Sequence, residues 1–505
     1  MNFFILLIVF SFSFSLELND TLSFEKDTIS NDFILIPDYS KKHNDFKIEY
    51  LHKKRKFFYE FSVGYLNDYQ SINTGLSTKI STRQLKFKFD FEYYSNLEQN
   101  SEIDNNYTVM SLIGMIDYLD LSFKNDNLNL YFGKINQITF GYGYLLNRYS
   151  NNLGYPFTKN SGLQFSFNNS NKTIKFNSFI SNIDNFIDKG GLLGNHFSFI
   201  ISSNFPLRIG FGHVIDFDQF VNFNEQIQYN RQINGYELDF DFPLFNLFKK
   251  NVMLFGEFTA VKFPETRYYK RVDDNEFTND KKSRNGVWGM FFPGLRYTRN
   301  DSKIMFGLNF NSSIFNPKYF NNTYDFEKVR FRQYNIDSNE QNFSDEANLL
   351  MTFANDTVNQ TGVYIPKDLL GMINSFENTY PTYGLSLNFE KKIAEKGYFS
   401  FDFSHYKENN LNSNLFYNDV YFSLKDKKNI FSIPTEYQIV ISKTFFESNS
   451  ISKLEENLFY GLTANLNIYK NYSLIIDYKN CFYDVDFDGV IDEHLYFMSK
   501  IKIKF

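Results

Sequence analysis

Polar and apolar residues alternate along much of this chain, with the period of two that a strand shows when its two faces meet different surroundings. In residues 84–94, QLKFKFDFEYY, every second residue from Leu85 to Tyr93 is apolar or aromatic, and charged residues stand between them. Similar alternation recurs at 127–132, 162–167, 173–179, 236–242, 303–310, 383–389, 398–403, 462–468 and 500–505. Turn-prone clusters such as 168–172 separate these segments, so the pattern predicts a succession of β-hairpins.

Two kinds of protein produce repeated alternating strands. In a soluble sandwich or propeller the apolar face points into a core, whereas in a transmembrane barrel it points into lipid and the polar face lines the lumen. Aromatic residues crowd the predicted strand ends, as expected of girdles at the two bilayer interfaces. They occur at residues 57–59, 93–94, Tyr142, Tyr144, 291–292 and 445–446.

The last segment decides between the two. Its alternation continues to the final residue, with Leu495, Phe497, Ser499, Ile501, Ile503 and Phe505 on one face. It resembles the C-terminal targeting strand of Gram-negative outer-membrane β-barrels, whereas the ends of soluble domains usually fray into water. The resemblance implies an all-β fold, a transmembrane antiparallel β-barrel in the outer membrane. It also implies that the last strand pairs with the first, and that the outer-membrane barrel assembly machinery recognises this strand.

The remaining chain can be partitioned from its composition. Residues 1–15, MNFFILLIVFSFSFS, show the apolar run and small terminal residues of a secretory signal peptide. Residues 16–44 form a polar periplasmic lead, too short for the globular plug of a TonB-dependent transporter, which disfavours siderophore-type uptake. Residues 45–505 then predict a barrel of roughly 16–20 strands, at about 10 residues per spanning strand.

Composition refines this interpretation. Phe 63, Tyr 36 and Trp 1 make the chain 20% aromatic, which disfavours disorder. A formal net charge of −6 gives no support for nucleic-acid binding, and the single cysteine, Cys481, excludes a disulfide scaffold. Because a porin needs no apolar interior, we expect the hydrophobic residues on the outer strand faces and the aromatic doublets at the interfaces.

Two segments interrupt the alternation and are predicted to be long external loops, residues 265–285 and 315–380. In the second, Pro366 can begin a helix whose apolar residues, at 369, 370, 373 and 376, fall at helical spacing. We expect this loop to pack inside or over the barrel mouth, where basic residues would place positive charge at the pore constriction. The alternative is a solvated surface loop with incidental basic residues. The residues in question are Lys328, Arg330 and Arg332.

A second irregular region covers residues 132–152. Glycines at 133, 141 and 143 inside strand-like sequence indicate tight curvature, a bulge or the close approach of another segment. Arg148 beside Tyr149 could bind a solute such as a sugar, or the stretch could simply be a strand end and turn.

The strongest local chemical motif is residues 484–493, DVDFDGVIDE. Carboxylates at alternate positions followed by Gly489 match the first half of an EF-hand-type calcium loop. The motif departs from that pattern at its twelfth position, where Leu495 replaces the bidentate glutamate, and an acidic hairpin loop without an ion is the alternative. The candidate ligands are Asp484, Asp486, Asp488, Val490, Asp492 and Glu493.

Catalytic signatures are missing, since the sequence has no GxxxxGK[ST], HExxH, GxSxG or CxxC, and its six histidines show no metal-ligand spacing. We therefore predict that the chain is not an enzyme but a porin-like channel for passive diffusion of small solutes. Its expected partners are outer-membrane lipid, the assembly machinery and solutes, with no nucleic acid and no cofactor other than Ca²⁺. The alternatives are a plugged barrel acting as an adhesin or assembly partner, and a secreted soluble β-sheet protein that binds glycans.

Overall fold

The computed structural model describes residues 56–66, 71–82, 84–96, 116–123, 127–152, 160–187, 190–201, 206–218, 232–244, 252–263, 266–273, 276–282, 287–299, 301–313, 315–333, 362–366, 380–393, 397–409, 416–430, 432–447, 458–469, 471–483 and 492–504. All of them belong to one compact unit of the chain. The predicted signal peptide, residues 1–15, and the predicted lead, residues 16–44, lie outside the described residues.

Twenty strands form one antiparallel sheet. They are β1 (Lys56–Leu66), β2 (Ser71–Ser81), β3 (Leu85–Asn96), β4 (Ile116–Phe123), β5 (Leu128–Gly133), β6 (Gly162–Asn168), β7 (Ile174–Ile180), β8 (Leu192–Ile200), β9 (Arg208–Asp216), β10 (Ile233–Pro243), β11 (Val252–Lys262), β14 (Val287–Arg299), β15 (Ser302–Asn311), β18 (Thr382–Ile393), β19 (Gly397–Glu408), β20 (Phe416–Ile430), β21 (Ile433–Glu447), β22 (Leu458–Tyr469), β23 (Tyr472–Tyr483) and β24 (Asp492–Lys504).

Two hairpins and two short helices stand outside this sheet. The hairpins pair β12 (Thr266–Asp273) with β13 (Glu276–Lys282), and β16 (Val329–Gln333) with β17 (Gly362–Pro366). The helices are α1 (Ile183–Ile187) and α2 (Tyr324–Glu327). Within the described part of the chain, neither helix is long and apolar enough to cross a bilayer.

The sheet closes on itself. Each of its strands pairs with the next one in sequence, and the two separate hairpins are skipped at the β11–β14 and β15–β18 pairs. β1 then pairs with β24, from Glu60 opposite Lys504 to Leu66 opposite Met498. Because the last strand meets the first, the fold is an antiparallel β-barrel, and its strand number lies at the upper end of the predicted range.

The two faces of the barrel wall are inverted relative to a soluble sheet. On β15 the side chains of Phe306 and Phe310 are 45% and 38% exposed, whereas those of Asn309 and Asn311 between and beside them are buried. β10 repeats the pattern, with Leu238 exposed and its acidic neighbours buried. Since apolar side chains face outward and polar ones face inward, this wall has the polarity of a barrel that spans lipid.

The connections differ at the two ends of the barrel. At one end they are short, with two residues between β14 and β15 and two between β20 and β21. At the other end lie the long connections, including 134–161 after β5 and 312–381 after β15. The predicted loops 265–285 and 315–380 fall within connections at this second end. Pro366 does not begin a helix, since it ends β17, and the remaining residues of the predicted helix lie outside the described residues.

Candidate functional site

Two of the long connections fold back into the lumen and pack against each other. We call residues 134–152 and 315–328 together the lumenal insert. The backbone N–H of Asn147 donates to the carbonyl of Phe320 at 2.9 Å, that of Phe320 to Leu145 at 3.1 Å, and that of Lys318 to Tyr144 at 2.7 Å. The insert is therefore one unit built from segments that are far apart in the sequence.

The lumenal insert has an apolar core of its own. Its most deeply buried side chains are each no more than 2% exposed: Ile135, Ile138, Phe140, Tyr144, Leu145, Leu146, Tyr149, Tyr319, Phe320 and Tyr324. Burying one large apolar side chain contributes about 1.5–3 kcal/mol, so this cluster stabilises the insert inside the barrel. The expectation of a lumen without an apolar interior is wrong for this barrel.

Several rings that we expected at the membrane interfaces belong to this core instead. Tyr142 stacks on Phe255 of β11 with ring centroids 4.0 Å apart, and Tyr144 stacks on Phe291 of β14 at 5.5 Å. All four side chains are buried. Alternating rings in residues 140–144 therefore face the interior of the protein, and the predicted girdle positions Tyr142, Tyr144 and Phe291 are corrected accordingly.

Glu257 on β11 holds the tip of the insert, residues 141–145, in place. Its carboxylate accepts backbone N–H groups from Tyr142 at 2.6 Å, Tyr144 at 3.0 Å and Leu145 at 3.2 Å. Successive N–H groups aimed at one anion form a concave anion site, and here the anion is supplied by the barrel wall. Gly141 makes this approach possible because its φ of +48° favours glycine and because a Cβ there would overlap Oε1 of Glu237.

A buried cluster of acidic and basic side chains lies beside the tip of the insert. Arg208 on β9 donates to Asp239 and to Asp241 of β10, each at 2.7 Å, and its guanidinium also lies 3.2 Å from the hydroxyl of Tyr142. The Tyr142 hydroxyl in turn donates to Asp241. Because charges buried away from water are tolerated when they are paired and hydrogen-bonded, this network ties the insert to β9 and β10.

A second set of polar contacts joins the insert to another part of the wall, on β19 and β20. Arg148 donates to Asp402 at 3.0 Å and to Ser400 at 2.6 Å, and its guanidinium lies 4.2 Å from the ring centre of Tyr421. Lys318 donates to the other oxygen of Asp402 at 2.9 Å. Of the three alternatives for the glycines in this region, the close approach of another segment is the one seen at Gly141, and Arg148 serves as a wall contact within the protein.

The ionisation of the insert side chains is fixed by these surroundings. Burial raises the pKa of Tyr142 and of Tyr149, and the Asp325 carboxylate, which accepts the Tyr149 hydroxyl at 2.8 Å, raises the latter further. Burial alone would lower the pKa of Arg148, but Asp402 and its other neighbours raise it above its usual value. The tyrosines stay neutral and the arginine stays charged throughout the physiological pH range.

The structure describes only some of the candidate site residues that were predicted from the sequence. Lys328 is buried at the end of α2, with its ammonium group near the carboxyl groups of Asp216 and Asp325. Arg330 and Arg332 belong to β16, and their side chains lie outside what the structure describes. Residues 484–491 of the calcium motif also lie outside it, while Asp492 and Glu493 begin β24. Calcium binding and a basic constriction stay predictions.

Comparison with known proteins supplies no family. No protein-family model and no curated protein matches the chain. Similar solved structures include Wzi of Escherichia coli, an outer membrane protein involved in group 1 capsule assembly and described as a carbohydrate-binding β-barrel. It is 10% identical with a TM-score of 0.33, covering 90% of this chain and 85% of Wzi. They also include an FrpB iron transporter from Neisseria meningitidis, at 8% identity and a TM-score of 0.36, covering 90% and 83%.

A third similar structure is OprB of Pseudomonas putida, with 12% identity and a TM-score of 0.26, covering 90% of this chain and 94% of OprB. These neighbours are Gram-negative outer-membrane β-barrel proteins, the class that the C-terminal strand resembles. Because all three TM-scores are below 0.5, the barrel assignment depends on the strand pairings of this chain.

Proposed function

We propose that the chain is an outer-membrane barrel through which small polar solutes diffuse passively, past a constriction formed by the lumenal insert. Its outward apolar faces would contact outer-membrane lipid, and β24 would be the segment that the barrel assembly machinery recognises. The long connections would then face the outside of the cell and the short turns the periplasm. The same outward faces argue against the soluble glycan-binding alternative, because they would expose apolar surface to water.

The observation that carries the proposal is the attachment of the insert to two separate parts of the wall. Glu257 and Arg208 hold it on the side of β9 to β11, and Asp402 and Tyr421 hold it on the side of β19 and β20. A segment held by buried charged contacts on two sides is a fixed constriction. Solutes would be selected by the space and the charges that it leaves.

Wall residues away from these contacts retain access to water. The inward-facing side chains of Lys86 and Lys88 on β3 are 25% and 13% exposed, and that of Lys479 on β23 is 18% exposed. Asp239, beneath the insert, has a side-chain exposure of 0%. The proposed solute path runs beside β3 and β23, the part of the wall away from the insert contacts, where charged side chains also meet water.

Planar-bilayer conductance tests the proposal. Purified, folded protein is expected to give small current steps, and a variant in which a Gly-Ser linker replaces residues 136–150 is expected to give larger ones, because the constriction is removed. A control variant shortens the β12–β13 hairpin, residues 266–282, which stands outside the barrel sheet. Arg148→Ser provides a milder loosening of the insert, with its folded state checked by heat-modifiable migration in SDS gels.

The outcomes separate the candidate functions. Steps from the wild type that grow in the linker variant support the channel. Steps from the linker variant alone would show that the insert closes the lumen and would assign the protein a binding or assembly role at the surface. The absence of current steps from the wild type and from every folded variant would contradict passive diffusion. The expectations that the chain is not an enzyme and that residues 1–15 are a signal peptide stay predictions.

A further inference from the structure

Three buried side chains of the barrel wall meet beneath the tip of the lumenal insert. They are His196 on β8 and Glu237 and Asp239 on β10, with side-chain exposures of 6%, 0% and 0%. Nε2 of His196 lies 2.8 Å from Oδ2 of Asp239 and 3.6 Å from Oε1 of Glu237, and one ligand atom from each residue lies within 4.8 Å of the others. We propose that these three residues bind a divalent transition-metal ion of the zinc type.

β9 lies between β8 and β10, and its glycines leave room for these side chains to meet. The pairing register places Gly212 of β9 between His196 and Glu237, and Gly210 of β9 next to Asp239. A Cβ at Gly210 would overlap Oδ2 of Asp239, and one at Gly212 would lie 3.2 Å from Oε2 of Glu237. The two glycines therefore leave space on the inward face that side chains from both neighbouring strands occupy.

Glu237 is the observation that calls for a ligand. Asp239 and Asp241 have Arg208 as a partner, and Glu257 accepts three backbone N–H groups. Glu237 is as deeply buried, yet neither of its oxygens accepts a hydrogen bond among the described residues, and the neighbour within hydrogen-bonding reach is a second acid, Asp239. A buried carboxylate without such partners is costly, and coordination to a cation is one way in which proteins offset that cost.

The donor set indicates the class of ion. One imidazole nitrogen and two carboxylate oxygens suit Zn²⁺ and related divalent ions, whereas Ca²⁺ and Mg²⁺ prefer oxygen alone. Tetrahedral zinc with bonds of about 2.0–2.2 Å holds its ligand atoms roughly 3.3–3.5 Å apart. Nε2 of His196 lies 3.6 Å from Glu237 and 2.8 Å from Asp239, so the Asp239 carboxylate would move by about half an ångström to bind the ion. Arg208 on the second oxygen of Asp239, at 2.7 Å, and Phe140, whose ring stacks on His196 at 5.4 Å, would keep two of the ligands oriented.

Zinc binding to the folded barrel in detergent tests the inference, and it needs no transport, so its outcome is independent of the channel proposal. Protein stripped with a chelator, incubated with Zn²⁺ and freed of excess by gel filtration is expected to retain about one ion per barrel by elemental analysis. His196→Ala and the nearly isosteric Glu237→Gln should each lose that ion. The folded state of each variant is checked by heat-modifiable migration.

His213→Ala is the matched control. His213 lies on β9, between the two ligand-bearing strands, but its ring stacks at 5.0 Å on Tyr236, a side chain of the exposed face, so its removal should leave zinc binding unchanged. Wild-type protein that retains no zinc would overturn the proposal and assign the Glu237 site a shared proton instead. Zinc retained by both the His196→Ala and the Glu237→Gln variants would place the ion elsewhere, for example in residues 484–493, and would equally overturn it.

Discussion

At the scale of single residues, Gly141 is a point where the lumenal insert lies directly against the wall. Its φ of +48° and the overlap that a Cβ would make with the Glu237 carboxylate leave no room for a side chain. We expect Gly141→Ala to destabilise the folded barrel by about 1–3 kcal/mol, because alanine adds both backbone strain and overpacking. Urea unfolding of the reconstituted protein, followed by heat-modifiable migration, measures the change.

Gly461→Ala is the control for that substitution. Gly461 also lies in the barrel wall, on β22, but a Cβ there would meet its nearest neighbour at 3.5 Å, an ordinary contact. Its φ is not in the left-handed region, so alanine should leave stability nearly unchanged or raise it slightly. Equal destabilisation by the two substitutions would show that the insert does not press on the wall at Gly141.

The residues of the proposed metal site show what a sequence can and cannot disclose. Glu237 and Asp239 are visible in the alternating segment 236–242 as two acids on one face. Nothing local connects them to His196, since the contact depends on the register of β8, β9 and β10 and on glycines at 210 and 212. The calcium motif is detectable in the sequence for the opposite reason, because all its candidate ligands are close together in the chain.

At the scale of elements, the strands were predictable and the insert only in part. Alternation in segments such as 303–310 is a local property imposed by two unlike surroundings, so it identifies β15 without any tertiary information. Residues 140–144 alternate as well, but their rings face a core inside the lumen. A period of two shows that two faces differ, and it does not show whether the apolar face meets lipid or protein.

The pairing of β1 with β24 permits a direct test of the closed sheet. In a Cys481→Ser background, cysteines replacing Ser62 and Lys502 occupy directly opposed positions, where antiparallel Cα atoms lie about 4.5–5.5 Å apart, within disulfide range. Oxidation is expected to link them and to change the migration of the heated chain in SDS gels, and reducing agent should reverse the change.

An offset pair provides the comparison. Ile503 stands opposite Phe61, so a cysteine at 503 points to the other face of the wall from one at 62 and should not form the link. Equal crosslinking by the two pairs, or none by the first, would mean that the first and last strands do not meet in this register.

At the scale of the whole molecule, the outward apolar faces predict where lipid lies. Trp288 is the single tryptophan of the chain, and it is 38% exposed on the outer face of β14 beside Phe258. Brominated lipid should quench its fluorescence strongly in reconstituted vesicles, and an aqueous quencher only weakly, because the side chain would sit in the bilayer.

Two neighbouring positions on β15 offer a matched pair for the same measurement. With Trp288 replaced by Phe, Phe306→Trp places the fluorophore on the exposed face and Met305→Trp places it on the buried face. Brominated lipid should quench the fluorescence of the Phe306→Trp variant strongly and that of the Met305→Trp variant only weakly. Stronger quenching of the Met305→Trp variant would mean that the buried face of β15 meets lipid. That result would remove the basis for placing the chain in a membrane.

The lumenal insert also has a mechanical consequence. A closed wall of twenty strands is a wide ring, and a wide ring flattens more readily than a narrow one under sideways compression. The insert crosses that ring from Phe179 of β7 to Ser442 of β21, ten strands away, and joins connections that leave it after β5 and after β15. We therefore expect it to act as an internal strut, which resists ovalisation of the cross-section when the surrounding lipid squeezes the barrel.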